Sequence, residues 1–227
     1  MSKRKASPEE TRSRLIDAGL NLFGLKGFEA TRTRELATLA KVNQAAIPYH
    51  FGGKEGLYLA VAQSVVERGR EDMGERVSFI KSTIESGAVD KKAAGKLLMG
   101  LLFLFADRIA MSADINDRSR FIMREYSTPG KGFEIIYEGF LSNVHTLLCN
   151  LVGIIVDESP TDETTIIRTH MMFGNIISII VTRTLLFRRL GWDDYDQEKM
   201  DKIKKVIAES VAGSLQLGDP KEYMEAL

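Results

Sequence analysis

Apolar residues recur every three to four positions along almost the whole chain, and no stretch alternates with period two. That periodicity predicts an all-α fold of about nine helices. Leu15, Ala18, Leu22 and Phe23 form one face of a first helix. Its start is written in Ser7-Pro8-Glu9-Glu10: Ser7 as N-cap, Pro8 at the first helical position, Glu10 reaching back as capping-box partner. Gly27 is placed to close it. Two short helices are then expected within TRTRELATLAKVNQAAIPYHF, residues 31–51. Thr31 is the expected cap of the first, and Leu36, Ala37 and Ala40 fall on its inner face. The pattern breaks at Lys41–Val42. Asn43 supplies a second N-cap, and Ile47 and Phe51 repeat at i, i+4.

Lys54 begins a long helix carrying Leu57, Val61, Val65, Val77, Ile80 and Ile84, interrupted around Gly69 and Gly74. The three helices before it are too small to be stable alone and must lean on its first turns. After a polar break at Ser86–Asp90, Lys91 to Met111 is apolar almost all round (Leu97, Leu98, Leu101, Leu102, Phe103, Phe105, Ile109), the mark of a central helix. A polar joint at Ala113–Asn116 leads to a helix with Phe121, Ile122, Arg124 and Tyr126 that stops at Pro129-Gly130. Phe133–Val156 is the next helix. Asp162 or Thr161 then caps one running to Leu190 and closed by Gly191. The last spans Gln197–Leu217 and is closed by Gly218.

Composition narrows the class. The chain has 227 residues, 44% of them hydrophobic, enough for a sizeable core. No uninterrupted apolar run reaches the ~20 residues of a bilayer span, so no membrane association is expected. The basic N-terminus is not followed by an apolar segment, so no secretory signal is read there. The single cysteine, Cys149, fits a reducing cytoplasm. Zero net charge hides an asymmetry: residues 1–55 hold ten Lys or Arg against six Asp or Glu, and the remainder 21 against 25. A basic N-terminal quarter on an acidic body is the layout of a small DNA-reading module attached to a larger domain. We therefore divide the chain into a candidate DNA-binding domain at 8–68, with its motif at about 32–51, and a larger helical body at 69–227. Ahead of both, Ser2–Lys5 is a basic arm, a solvated tail in free solution that can lie near phosphates on DNA.

With Ile47 and Phe51 turned inward, Gln44, Ala45, Pro48 and Tyr49 point away from the core. A helix of about two turns bearing small and hydrogen-bonding residues outward, after a basic helix, suits the major groove of DNA. An ordinary αα-hairpin with a solvated outer face gives the same pattern. The wording of the stretch goes further, because it resembles the helix-turn-helix of TetR-family transcriptional repressors. It has their GF-x-x-T entry (Gly27, Phe28, Thr31), their R-x-[LI]-A (Arg34, Leu36, Ala37) and their A-x-V turn (Ala40, Val42). It also has their YHF-x-x-KE-x-L exit (Tyr49, His50, Phe51, Lys54, Glu55, Leu57). The likeness covers roughly residues 9–60, and AAI-x-YHFGGKEGLY is similar to the CecR-like subgroup.

The resemblance implies a homodimeric, cytoplasmic regulator, a repressor released from a palindromic double-stranded operator by a small-molecule effector. It implies no enzymatic activity, cofactor or metal. The candidate DNA-contacting residues are Thr33, Arg34, Asn43, Gln44, Ala45, Tyr49, His50 and Lys54, with Lys54 meeting a phosphate as the family lysine does. By the same analogy residues 162–190 and 197–217 pair across a twofold axis, with Ile176, Ile177, Ile179, Ile180, Leu185, Leu186, Ile203, Val206 and Ile207 as the apolar surplus. Those faces are equally compatible with burial inside one subunit. Two positions depart from the family wording. Lys41 stands where a turn glycine is usual, at a cost of about 1 kcal/mol if its φ is positive. Pro48 stands where an aromatic or polar residue is frequent; its missing N–H is expected to leave the Gln44 carbonyl to water or a neighbour and its ring to crowd the preceding turn, so that Pro48→Asn stabilises the helix by about 1–3 kcal/mol, whereas at a bend already built into the fold the exchange changes nothing.

Outside the motif the candidate effector-binding residues are Phe103, Phe105, Arg108, Phe121, Arg124, Tyr126, His145, His170 and Phe173, aromatic or charged positions within apolar helices. Arg108, Arg124 and Glu125 each need a partner if buried. His145 and Cys149 have metal-ligand spacing on one helix, but nothing in the sequence brings His170 or another third ligand to them, and a core cysteine beside a hydrogen-bonded histidine accounts for the pair. No phosphate loop, nucleophile elbow or zinc-protease motif is present. The rival class is an all-α small-molecule, lipid-binding or interaction protein that does not bind DNA, and the salt dependence of DNA affinity separates the two.

Overall fold

The computed structural model describes residues 7–87, 89–110 and 115–224, without the side chains of 109, 110, 115 and 116. The basic arm, the Ile109 side chain and most of the polar joint at 113–116 lie outside that set. Among the described residues every regular element is helical: α1 (Pro8–Ala30), α2 (Thr33–Ala40), α3 (Ala46–Phe51), α4 (Lys54–Glu85), α5 (Lys91–Ala110), α6 (Ile115–Ser127), α7 (Lys131–Ile136), α8 (Ser142–Val156), α9 (Glu163–Val181), α10 (Arg183–Leu190), α11 (Gln197–Leu215) and α12 (Lys221–Met224). A π-helical turn, Tyr137–Leu141, joins α7 to α8, so Lys131–Val156 is one continuous helix.

The chain forms two compact units. The first holds the residues up to Gly69 together with α6, α7 and the π-turn as far as Phe140; the second holds Arg70 to the end of α5 and everything from Leu141 onward. The start of α4 therefore belongs to the first unit and its end to the second.

In the first unit Leu15, Ile16, Leu20 and Phe23 of α1, Leu36 of α2, Ile47 of α3, Leu57 and Val61 of α4 and Phe121 of α6 are buried. Tyr58 sits among aromatic rings, with centroids 5.0 Å from Phe23, 5.1 Å from Phe28 and 5.4 Å from Phe121. Edge-to-face packing of this kind adds about 0.5–1.5 kcal/mol per pair beyond burial. Helix α6 packs closely on α1 because Gly24 carries no side chain: a Cβ there would meet the Phe121 nitrogen at 3.2 Å and the Asp117 carbonyl at 3.3 Å.

In the second unit α5 is central, as its all-round apolarity predicts, with Leu98, Met99 and Phe103 fully buried. One cation enters this core: Lys204 is 4% exposed and its Nζ lies 2.6 Å from Asp107.

Several boundaries differ from expectation. Ser7 caps α1, accepting from the Glu10 N–H at 3.1 Å, but the Glu10 side chain goes to Arg14 at 2.5 Å instead of reaching back. The expected helix to Leu190 breaks at Thr182 (φ −102°, ψ 16°), whose hydroxyl bonds back to the Ser178 carbonyl at 2.7 Å; such back-bonding bends helices. Helix α11 ends at Leu215, and Gln216 takes the left-handed position (φ 54°) expected of Gly218. Lys131–Val156 and Glu163–Val181 are apolar and long enough to cross a bilayer by length and composition, with mean hydropathies of 1.6 and 1.3. Counting uninterrupted apolar runs missed them, since a window average tolerates scattered polar residues.

Candidate nucleic-acid interface

Helices α2 and α3 form a helix-turn-helix whose turn is made by a lysine. Lys41 adopts φ 55°, ψ 44°, and its N–H donates to the carbonyls of Ala37 and Thr38. The N–H of Val42 closes the cap onto Ala37 at 3.0 Å. This is the geometry of a C-terminal cap glycine, adopted here by a side-chain-bearing residue at about 1 kcal/mol.

The start of α2 is not capped by Thr31. Gly27 departs from helical geometry (φ 81°, ψ 172°), and the Thr31 hydroxyl turns inward to donate to its carbonyl at 2.7 Å. Thr31 is consequently 1% exposed. Arg32 stands at the cap position, and its N–H donates to Oε2 of Glu35 at 3.1 Å. The other Glu35 oxygen takes Lys26 Nζ at 2.7 Å. The hydrogen bond from Lys26, followed by that from the Arg32 backbone, holds the Glu35 carboxyl below its usual range.

Asn43, the expected N-cap, is displaced from that position by Ala45, which caps α3 without a side-chain bond. The Asn43 Oδ1 accepts instead from the Ala45 N–H at 2.8 Å and fixes the turn that leads into the helix. The chain enters the helix through three-residue bonds, Ala46 N–H to Asn43 O at 2.9 Å and Ile47 N–H to Gln44 O at 3.2 Å. That entry favours the built-in bend over a strained helix at Pro48. The neighbour that serves the Gln44 carbonyl is the Ile47 N–H. Pro48 is the third residue of α3, in the first turn, where backbone N–H groups have no intrahelical partner in any case.

Gln44, Ala45, Pro48 and Tyr49 are exposed, as read from the sequence, Tyr49 by 81%. Arg34 and Asn43 are also exposed, while Thr33 and His50 are half-buried. The His50 ring stands edge-on to Tyr49 at 4.9 Å. Gln44 Nε2 donates to Thr33 Oγ1 at 2.8 Å, joining the start of α2 to the entry of α3. Lys54, the first residue of α4, holds its Nζ 4.3 Å above the Phe28 ring and 3.4 Å from the Glu29 carbonyl. The Lys26–Glu35 and Thr33–Gln44 contacts were not legible beforehand, since each joins two different elements and no local spacing rule sets it.

The effector candidates fall into both units. In the first, Phe121 is buried against Tyr58. Arg124 donates to the carbonyls of Gly24 and Leu25 at 3.3 and 3.1 Å. Tyr126 packs on Phe133 at 6.0 Å. Glu125 is 3% exposed, and Tyr58 donates its hydroxyl to it. Burial first, and that carboxylate second, push the Tyr58 phenol well above its ordinary range. In the second unit Phe105 meets Phe173 edge-on at 5.0 Å, Phe103 is fully buried and Arg108 is exposed, needing no buried partner. The fold does bring His170 to His145, with ring centroids 6.0 Å apart. Cys149 Sγ is 3.6 Å from His145 Nδ1, and His145 Nε2 is buried without a partner. Burial, then His170, lowers the His145 pKa, and burial raises that of the Cys149 thiol. Among the described residues no group of three His, Cys, Asp or Glu is placed to hold a metal ion.

Comparison with known proteins bears on both units. Residues 15–61 match the family "Bacterial regulatory proteins, tetR family", and residues 94–216 match "HTH-type transcriptional dual regulator CecR, C-terminal domain". The chain is 30% identical over 199 residues to the HTH-type transcriptional dual regulator CecR of Shigella flexneri, covering 88% of each chain. It is 34% identical over 62 residues to the HTH-type transcriptional repressor NicS of Pseudomonas putida, covering 27% of this chain and 29% of that one. Among solved structures, Mycobacterium smegmatis AmtR superposes with a TM-score of 0.60 at 19% identity, covering 100% of this chain and 94% of its own. AibR, solved with isovaleryl coenzyme A and operator DNA, gives 0.60 at 13% identity, covering 89% and 96%. At those identities the two structures show a shared fold.

Proposed function

This chain belongs to the TetR family of bacterial regulatory proteins, and from that premise we propose that it represses transcription by binding a palindromic operator as a homodimer and leaves it when a small molecule occupies the C-terminal domain. It is a DNA-binding transcriptional regulator and not an enzyme. The observation that carries the reading is the outer surface of α3. Gln44 and Ala45 of its entry turn and Tyr49 of the helix are exposed around a buried Ile47, and the Asn43 side chain fixes that turn by accepting from the Ala45 N–H. A rigid short helix with polar groups outward is what base readout in a major groove requires. Arg34, Thr33, Asn43 and His50 flank it, and Lys54, already fixed over Phe28, would turn to a phosphate at the start of α4.

The domain division at 68 follows this reading. The DNA-reading domain is 8–68, and 69–227 binds effector and partner, with α6 and α7 grouped by compactness with the N-terminal unit. Dimerisation would use the faces of α9, α10 and α11 that stay exposed: Ile167 at 59%, Met171 at 67%, Leu185 at 67% and Val206 at 63%. Ile176, Ile180, Ile203 and Ile207 are buried within the single chain and drop from the expected interface. For the effector, the second unit offers His145, its pKa lowered by burial and its buried Nε2 without a hydrogen-bond partner among the described residues, beside His170 and Cys149, and the Phe105–Phe173 pair. A ligand with an apolar body and one hydrogen-bonding group suits them. Release follows if that ligand prefers the half-site spacing that DNA does not, and the coupling is reciprocal. The two apolar helices, Lys131–Val156 and Glu163–Val181, lie inside the stretch matched by the regulator's C-terminal domain, and a cytoplasmic protein acting on the chromosome is the consistent setting.

Selection from a pool of random double-stranded DNA tests the proposal. A regulator enriches two inverted half-sites a helical turn or more apart, and its affinity falls linearly in log salt. A pool that stays unenriched, with no salt dependence, contradicts it.

A further inference from the structure

Gln44 has a long, exposed side chain, yet the residue is tied at its backbone and at its amide. Its backbone carbonyl accepts from the Ile47 N–H at 3.2 Å, and the neighbouring Asn43 side chain fixes the turn by accepting from the Ala45 N–H at 2.8 Å. Its Nε2 donates to the Thr33 hydroxyl at 2.8 Å, from an element eleven residues earlier in the chain. A glutamine amide has two N–H donors and one carbonyl acceptor. Thr33 engages one donor. What remains for a base is the other N–H and Oε1, on a side chain that can no longer turn freely.

Resting on the DNA-reading function above, we infer that Thr33 is a positioning residue for Gln44, and that the pair reads an adenine in each half-site. In the major groove adenine presents an acceptor, N7, beside a donor, the N6 amino group, and the free edge of Gln44 is the complement of that pair. Guanine presents two acceptors, N7 and O6, and leaves Oε1 facing a lone pair. Thymine and cytosine offer single groups. The rotamer entropy of a long polar side chain is lost in the free protein through the Thr33 bond, so less remains to be lost on DNA.

The experiment uses the full chain, a random duplex pool, and then a panel of single-base substitutions in the enriched site. Gln44→Ala identifies the base position, where preference falls roughly 5- to 150-fold. Thr33→Val removes the hydroxyl at nearly constant shape. It is expected to reduce preference at that same position by about 2- to 10-fold, more than at any other position and with the melting midpoint unchanged, and Thr33→Ser is expected to restore it. A base other than adenine at the Gln44 position, or a Thr33→Val protein with the wild-type preference, overturns the inference. A wild-type protein that enriches no sequence overturns the regulator reading and this inference with it, which distinguishes the two failures.

Discussion

The guanidinium of Arg124 donates to the carbonyl of Leu25 across 99 positions of the chain, at 3.1 Å. It also reaches the Gly24 carbonyl, so that one side chain of α6 satisfies carbonyls in the last turns of α1, just before Gly27 leaves helical geometry. A cation at a helix C-terminus is favourable for the macrodipole as well.

Two variants follow from that arrangement. Arg124→Ala is expected to lower stability by about 1 kcal/mol, since the bonds it removes are charge-assisted but partly solvated. Gly27→Ala is expected to cost about 1–3 kcal/mol, because its φ of 81° and ψ of 172° are essentially open to glycine alone. Urea melts read both, and a Gly27→Ala midpoint equal to wild type contradicts the backbone argument.

Pro48→Asn is expected to leave the melting midpoint unchanged or lower it, by up to about 1 kcal/mol, through the greater freedom of the unfolded chain. The reason is the Ile47 bond to Gln44, which leaves no carbonyl waiting at that turn. A raised midpoint would restore the idea of a strained helix.

Lys54→Ala is expected to weaken binding to all DNA sequences alike and to reduce the salt slope by about one per subunit. Gln44→Ala is expected to leave that slope intact and lose discrimination at one base pair. Titrations of both variants against an operator panel at several salt concentrations check the roles, and identical behaviour of the two contradicts them.

Leu185→Asp and Val206→Asp are expected to yield folded monomers, since both side chains are more than 60% exposed in the single chain. Ile207→Ala, at a position 6% exposed, is expected to lower the melting midpoint by about 2–5 kcal/mol of stability without dissociating a folded dimer first. Sedimentation at micromolar concentration decides: a Leu185→Asp protein that remains dimeric removes that surface from the interface.

Tyr195 gives an alkaline signature. Its hydroxyl donates to the Ile179 carbonyl at 2.5 Å, and burial pushes its pKa up to about 12. The native state thus holds this proton more tightly than the unfolded chain, whose phenol titrates near 10. The stability it contributes is complete below pH ~10 and is lost as pH rises toward 12. Tyr195→Phe is expected to be less stable at neutral pH and to fall less steeply between pH 10 and 12. Equal slopes for the two proteins would contradict the assignment.

The sequence by itself determined the helical class, most helix boundaries and the reading helix. These depend on local rules: the 3.6-residue period of Leu15, Leu22, Leu36 and Ile47, the Ser7 cap, and glycine or its substitute at turns. The family wording likewise sits within one continuous stretch. Tertiary structure alone decided the partners. Thr31 was drawn from cap to buried anchor by the non-helical Gly27, and Arg124 was taken from the effector candidates to the end of α1. His170 was brought beside His145, and Ile203 and Ile207 were buried where an interface had been expected. The contacts of Arg124 and His170 join residues far apart in the chain, the Thr31 bond arises where the backbone leaves helical geometry at Gly27, and an apolar position reads the same whether its cover comes from its own chain or from a second copy. Periodicity states that a face is buried; only the packed chain states against what.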